Sequence, residues 1–153
     1  MGKRIGITKE EYSTEIPKRQ HALNTNQLDP ERVIREDEDV VLYALEDKYA
    51  FYEWDNYPVL YHYLIIPKND SITSHRHMDG KEWYQAHKLI EWAEDTYPSN
   101  RVAVVWKNDL GRTVKKFHIH VLVLDQEYNQ HTGNTPPLLE KILTVPLEIQ
   151  SGL

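Results

Sequence analysis

Branched apolar residues alternate with histidines along Phe117-His118-Ile119-His120-Val121-Leu122-Val123, and a period of two predicts a half-buried strand. The pattern extends over 113–124 and puts His118 and His120 on one face, within reach of one ligand. Earlier in the chain, 40–45 (Val-Val-Leu-Tyr-Ala-Leu) and 49–54 (Tyr-Ala-Phe-Tyr-Glu-Trp) read as two strands joined by a turn at 46–48. Asp55-Asn56-Tyr57-Pro58 is a loop signal, and 61–66 is a third strand stopped by Pro67. A helix is expected over 79–96, where Trp83, Ala86, Ile90, Ala93 and Tyr97 recur at helical spacing and Pro98 ends the run. A strand over 101–106 and a turn at 108–111 then lead into the histidine strand. Strands, one main helix, then strands imply an α+β fold: an antiparallel sheet with a helix packed on it.

The flanks are less patterned. Residues 1–30 carry no sustained period and are punctuated by Pro17 and Pro30; they are expected to form an N-terminal arm with a short helix near 9–15. The remainder, 31–153, is expected to be one domain with its core in 40–124, and its tail is ambiguous apart from a helical turn near 138–143.

Composition narrows the function. The chain of 153 residues has no cysteine, which excludes disulfides, thiolate metal sites and cysteine nucleophiles. It has no apolar run long enough to span a bilayer, and no apolar segment follows the basic start, so neither membrane association nor a signal peptide is expected; a cytoplasmic protein fits. A formal net charge of −6 argues against generic nucleic-acid binding. The charge is uneven, however. Arg101, Lys107, Arg112, Lys115 and Lys116 face a single acid, Asp109, between positions 101 and 120. A local positive field beside two imidazoles, which act as nucleophiles, bases or metal ligands near neutral pH, suits a phosphate-bearing ligand. Other histidines carry less. His75 and His77 lie in a polar loop, His87 flanks the helix stripe and is expected to pack, and Trp83, Trp92 and Trp106 are expected in the core.

A second segment sharpens the reading. Tyr61-His62-Tyr63-Leu64-Ile65-Ile66-Pro67-Lys68 starts a strand with histidine and ends it in Ile-Pro-Lys; Asn108 and Gly111-Arg112-Thr113-Val114 precede the histidine strand. Over roughly 40–124 this order resembles the histidine triad (HIT) family. The resemblance implies a curved antiparallel sheet of about five strands with one main helix. It also implies attack on the α-phosphate of a nucleoside 5′-phosphate derivative by the middle histidine, through a covalent nucleotidyl-histidine that water or another acceptor resolves. No metal or cofactor is implied, the partner is a small nucleotide, and a homodimer is left open.

Only two of the three histidines are present, and two alignments fit. In the first, His118 leads, His120 is the nucleophile, Leu122 replaces the third histidine, and Lys116 is a candidate to activate the leaving group. In the second, which runs without a gap from Gly111, Lys116 replaces the first histidine and His118 is the nucleophile. The first is preferred because Phe117 matches the apolar residue that commonly leads the triad. By the same resemblance, His62 lies near the triad, Asn108 and Thr113 contact phosphate, and Asp55 (or Glu53) binds ribose. Asp70 stands where relatives often carry histidine, and Trp54 is a candidate to line a base pocket, since aromatic faces stack on bases. Two alternatives remain beside a nucleotide hydrolase or nucleotidyltransferase: a nucleotide-binding sensor or sponge without turnover, and a metal-binding cluster of His62, His118 and His120.

Overall fold

The computed structural model describes residues 2–12, 14, 23–107 and 114–128. Its elements are β1 (Gly2–Arg4), β2 (Val33–Glu36), β3 (Val40–Ala44), β4 (Phe51–Trp54), β5 (Tyr57–Pro67), α1 (Gly80–Thr96), β6 (Val102–Val105) and β7 (Ile119–Leu124). All pairings are antiparallel. The architecture is α+β, an open sheet with one main helix, as the pattern predicts.

The 11-residue β5 organises the sheet. One edge pairs with β7, which in turn carries β6. The other edge is shared: β4 pairs with the first residues of β5 (Glu53 opposite Pro58) and β3 with the last (Val40 opposite Pro67). β1 extends β4 and β2 extends β3. β5 is longer than the predicted 61–66 because the loop signal at Asp55-Asn56 is a two-residue hairpin turn. Both residues have positive φ, 48° and 67°, the conformation that a tight hairpin asks for and that Asp and Asn tolerate. Strands β1 and β2 were not anticipated: three and four residues are too short to show a period. Residues 2–4, read from sequence as part of an arm, thus lie on the sheet edge, and a helical turn follows at 9–12.

Helix α1 begins where Asp79 and Glu82 form a capping box: Asp79 Oδ1 accepts from Glu82 N–H (2.7 Å) and Glu82 Oε1 from Asp79 N–H (3.0 Å). Ala86, Leu89 and Ala93 face the sheet, with Trp83 and Ile90 beside them. His87 does not pack there; it is exposed and pairs with Glu91 one turn on (3.0 Å). Trp83 and Trp92 border the core, whereas Trp106 is 45% exposed.

Alternation sorts the sheet into two faces, since directly paired residues share a side. Val40, Leu42, Tyr63, Ile65, Ile119, Val121 and Val123 point at α1 and form the main core. Val41, Tyr43, Leu64 and Ile66 point the other way and are covered by Leu23 and Val114. His120 is paired with Leu64, and His62 is two residues earlier on β5, so both imidazoles are on the face away from α1. The histidine strand is shorter than predicted. It starts at Ile119, because the preceding residues leave the ladder: Phe117 N–H donates to Ile72 C=O (2.9 Å) in the loop after β5. His118 therefore sits just before the strand. The helical turn expected near 138–143 lies outside the described residues.

Candidate functional site

Three imidazoles converge where β5 and β7 lie side by side. His62 and His120 ring centroids are 5.0 Å apart, as are those of His118 and His120. Phe51, at the start of β4, forms a wall: its ring stacks on His120 at 5.6 Å and 16° and lies 4.5 Å from the His62 ring. Behind Phe51 is β1. An added Cβ at Gly2 would come within 2.4 Å of the Phe51 ring, so only glycine lets the strand approach this closely. The Arg4 guanidinium lies 4.5 Å over Phe51 and 4.5 Å over Tyr12, with Nε donating to Tyr49 C=O (2.8 Å).

The hydrogen bonds determine which nitrogens carry protons. A backbone N–H can only donate, so the Phe51 N–H bond to His62 Nδ1 (3.0 Å) makes that nitrogen an acceptor. The proton of a neutral His62 then sits on Nε2, which donates to His120 Nδ1 (2.8 Å). A neutral His120 in turn carries its proton on Nε2. His118 is fixed the opposite way: its Nδ1 faces the Lys116 carbonyl (2.8 Å), which can only accept. Protonation at Nδ1 puts the His118 lone pair on Nε2. Two histidines two positions apart are thus held in opposite tautomers.

Electrostatics keep His120 neutral. Burial pushes its pKa well below 6.5, and Arg4, Lys107 and the protonated forms of His118 and His62 push in the same direction. Arg4 and Lys107 thus make the surroundings of His120 electropositive. Arg4 also lines a cleft of about 230 Å³ with Gly2, Ile7, Thr8, Lys9 and Tyr12.

Lys116, expected to share the strand face and aid a leaving group, is elsewhere. Its side chain is buried and its Nζ pairs with Asp70 (2.6 Å). Trp54 and Asp55 lie at the β4–β5 hairpin, three and four residues beyond Phe51, roughly 10 Å or more along the strand. Asp55 accepts from Tyr128 OH (2.9 Å), and Trp54 lies 6.0 Å from the Tyr128 ring. Asn108 and Thr113 lie outside the described residues. Sequence reasoning missed Phe51 and Arg4, which no spacing rule connects to the histidines. A metal cluster of His62, His118 and His120 does not fit this arrangement. Both His62 nitrogens are engaged, by Phe51 N–H and by His120, and among the described residues no group of three His, Asp or Glu could hold an ion. No helix among those residues is long and apolar enough to cross a membrane.

The fold resembles that of a histidine triad protein from Clostridium difficile, at TM-score 0.50 and 21% identity over 71% of this chain and 90% of that one. A HIT family hydrolase from Clostridium thermocellum is similar at 0.49 and 21%, over 80% and 98% of the two chains. At such identity the likeness is one of fold: the architecture is HIT-like. No protein-family model matches the sequence, and no curated protein matches it.

Proposed function

We propose that this HIT-like protein is a nucleotide hydrolase or nucleotidyltransferase in which His118, rather than His120, is the nucleophile. The observation that carries the assignment is the opposite orientation of the two rings. His118 Nδ1–H on the Lys116 carbonyl leaves a lone pair on Nε2, the form of imidazole that attacks phosphorus. His120 has its Nδ1 lone pair occupied by His62 and presents Nε2–H, a donor. This is the alignment that runs without a gap from Gly111.

The step then follows. His118 Nε2 forms a bond to the α-phosphorus of a nucleoside 5′-phosphate derivative. The bond from phosphorus to the leaving group breaks, and the leaving group departs with the electron pair and takes a proton from solvent. His120 Nε2–H, with the charges of Arg4 and Lys107 behind it, stabilises the charge that develops on the phosphoryl oxygens. Water attacks the nucleotidyl-histidine, the P–N bond breaks, the nucleoside monophosphate leaves, and one water proton passes to solvent. Substrates in this class are dinucleoside polyphosphates, nucleotide sugars and nucleoside phosphoramidates. Asn108 and Thr113 remain proposed phosphate contacts, and Asp55 and Trp54 proposed ribose and base contacts.

Chromatography of reactions with such a panel, run in chelator, tests the reading. Nucleoside monophosphate release that survives chelator and is lost in His118→Ala, with an acid-labile nucleotide adduct on His118, is the expected result. Nucleotide binding without product from any substrate would favour the sensor reading, and an adduct on His120 would reverse the assignment.

A further inference from the structure

The Lys116 carbonyl that orients His118 is not held by a sheet ladder, because residues 114–118 precede β7. It is held by the loop after β5, at two adjacent points. Ile72 C=O takes the Phe117 N–H (2.9 Å), and Asp70 takes the Lys116 ammonium (2.6 Å). Asp70 is itself fixed from the N-terminal side: Thr25 N–H donates to Asp70 Oδ1 (3.0 Å), and Thr25 Oγ1 donates to Lys68 C=O (2.9 Å). The ammonium is buried to 2% exposure while the carboxylate is 44% exposed. A lysine buried this deeply without its anion is costly, so its place in the fold depends on Asp70. Burial lowers the Lys116 pKa while Asp70 raises it; for Asp70, burial is outweighed by Lys116 and Thr25 and the net shift is downward. For Lys116, burial outweighs Asp70 and the net shift is downward.

We propose that Asp70, acting through Lys116, is a positioning residue for His118: the buried ion pair fixes the Lys116 carbonyl and thereby selects the Nδ1–H tautomer of His118. The proposal rests on His118 being the nucleophile, and it assigns a purpose to the aspartate–lysine pair that occupies positions where histidines are expected by resemblance. Without the pair, residues 116–118 lose the tie that Asp70 gives them to the loop after β5. The carbonyl then shifts and the His118 ring is free to populate Nε2–H, the tautomer with no lone pair at the attacking nitrogen.

The test is a long-range ¹H–¹⁵N spectrum of histidine-labelled full-length protein, read beside kcat and KM, for wild type, Asp70→Asn and Asp70→Glu. The expected result is a pure Nδ1–H signature for His118 in wild type and mixed tautomers in Asp70→Asn. His62 and His120 signals should be unchanged, kcat should fall about ten- to a hundredfold at constant KM, and Asp70→Glu should recover most of it. If Asp70→Asn loses the His62 and His120 signals, and so the fold, the double variant Asp70→Leu/Lys116→Met decides by the same criteria, because it leaves no unpaired buried charge. An unchanged His118 tautomer in the folded variant overturns the proposal, whether or not kcat falls. Absence of turnover in wild type would instead sink the proposed reaction, while the tautomer spectra would still decide the positioning role.

Discussion

The two faces of the sheet are built from the same strands by the same alternation, yet they do different work. On the α1 face, Ile65, Val121 and Val123 meet Ala86, Leu89 and Ala93 in a continuous apolar core. On the other face, Leu64 and Ile66 give way along β5 to His62, and β7 answers with His120. Among the described residues, that face is covered by short pieces: β1 behind Phe51, Leu23, and the segment 114–118. A helix brings its own satisfied backbone and a broad apolar stripe, which suits a core. Short segments bring backbone N–H and C=O groups that ladders do not consume. The N–H of Phe51, at the start of β4, and the C=O of Lys116, in the covering segment, are the groups that set the histidine tautomers. Packing holds the first face together; on the second, polar geometry decides the chemistry.

Substitutions on each face should separate those roles. The largest effect is expected for His118→Ala, which should lower kcat by at least about a thousandfold in the nucleotide assay with little change in denaturation midpoint. Leu89→Ala, on the helix face, should do the reverse: a loss of about 2–5 kcal/mol in denaturant unfolding, with kcat retained at temperatures where the variant is folded. A large drop in kcat for folded Leu89→Ala would break the comparison.

Gly2→Val lies between these extremes. Its Cβ would meet the Phe51 ring at 2.4 Å, so β1 or the ring must move, at a cost of about 1–3 kcal/mol, and the His120 signals should shift with it. Unperturbed His120 resonances would show that β1 does not press on the site. Stability against pH gives a gentler measure. Because His120 is held well below 6.5, the unfolded chain takes up a proton at that position before the folded one does. Its contribution is fully present above pH 6.5 and is lost as pH falls toward the depressed folded value, with a slope of up to about 1.4 kcal/mol per pH unit. His120→Gln should flatten that slope in denaturation curves below pH 6.5. Smallest is Phe51→Leu, which keeps the backbone N–H and hence the His62 orientation; the ring's contacts with His120, His62 and Arg4 are lost, about 0.5–1.5 kcal/mol by unfolding.

Much of this was legible in the chain. The period-two run at 117–123 marked a histidine strand, the apolar stripe ended by Pro98 marked α1, and Asp55-Asn56 marked a turn, because each depends on neighbours within a few residues. The order of these elements was enough to expect an α+β sheet of HIT-like form. Which nitrogen of which histidine carries a proton was not legible. That depends on Phe51 N–H reaching His62 across a hairpin and on His62 reaching His120 from 58 positions away. The role of Lys116 was hidden for the same reason, since its partner Asp70 is 46 positions distant. The sequence by itself determined which side chains share a face, a property of backbone period. Only the tertiary structure decided how those side chains are protonated and held, because a tautomer answers to whichever donor or acceptor the fold brings within 3 Å.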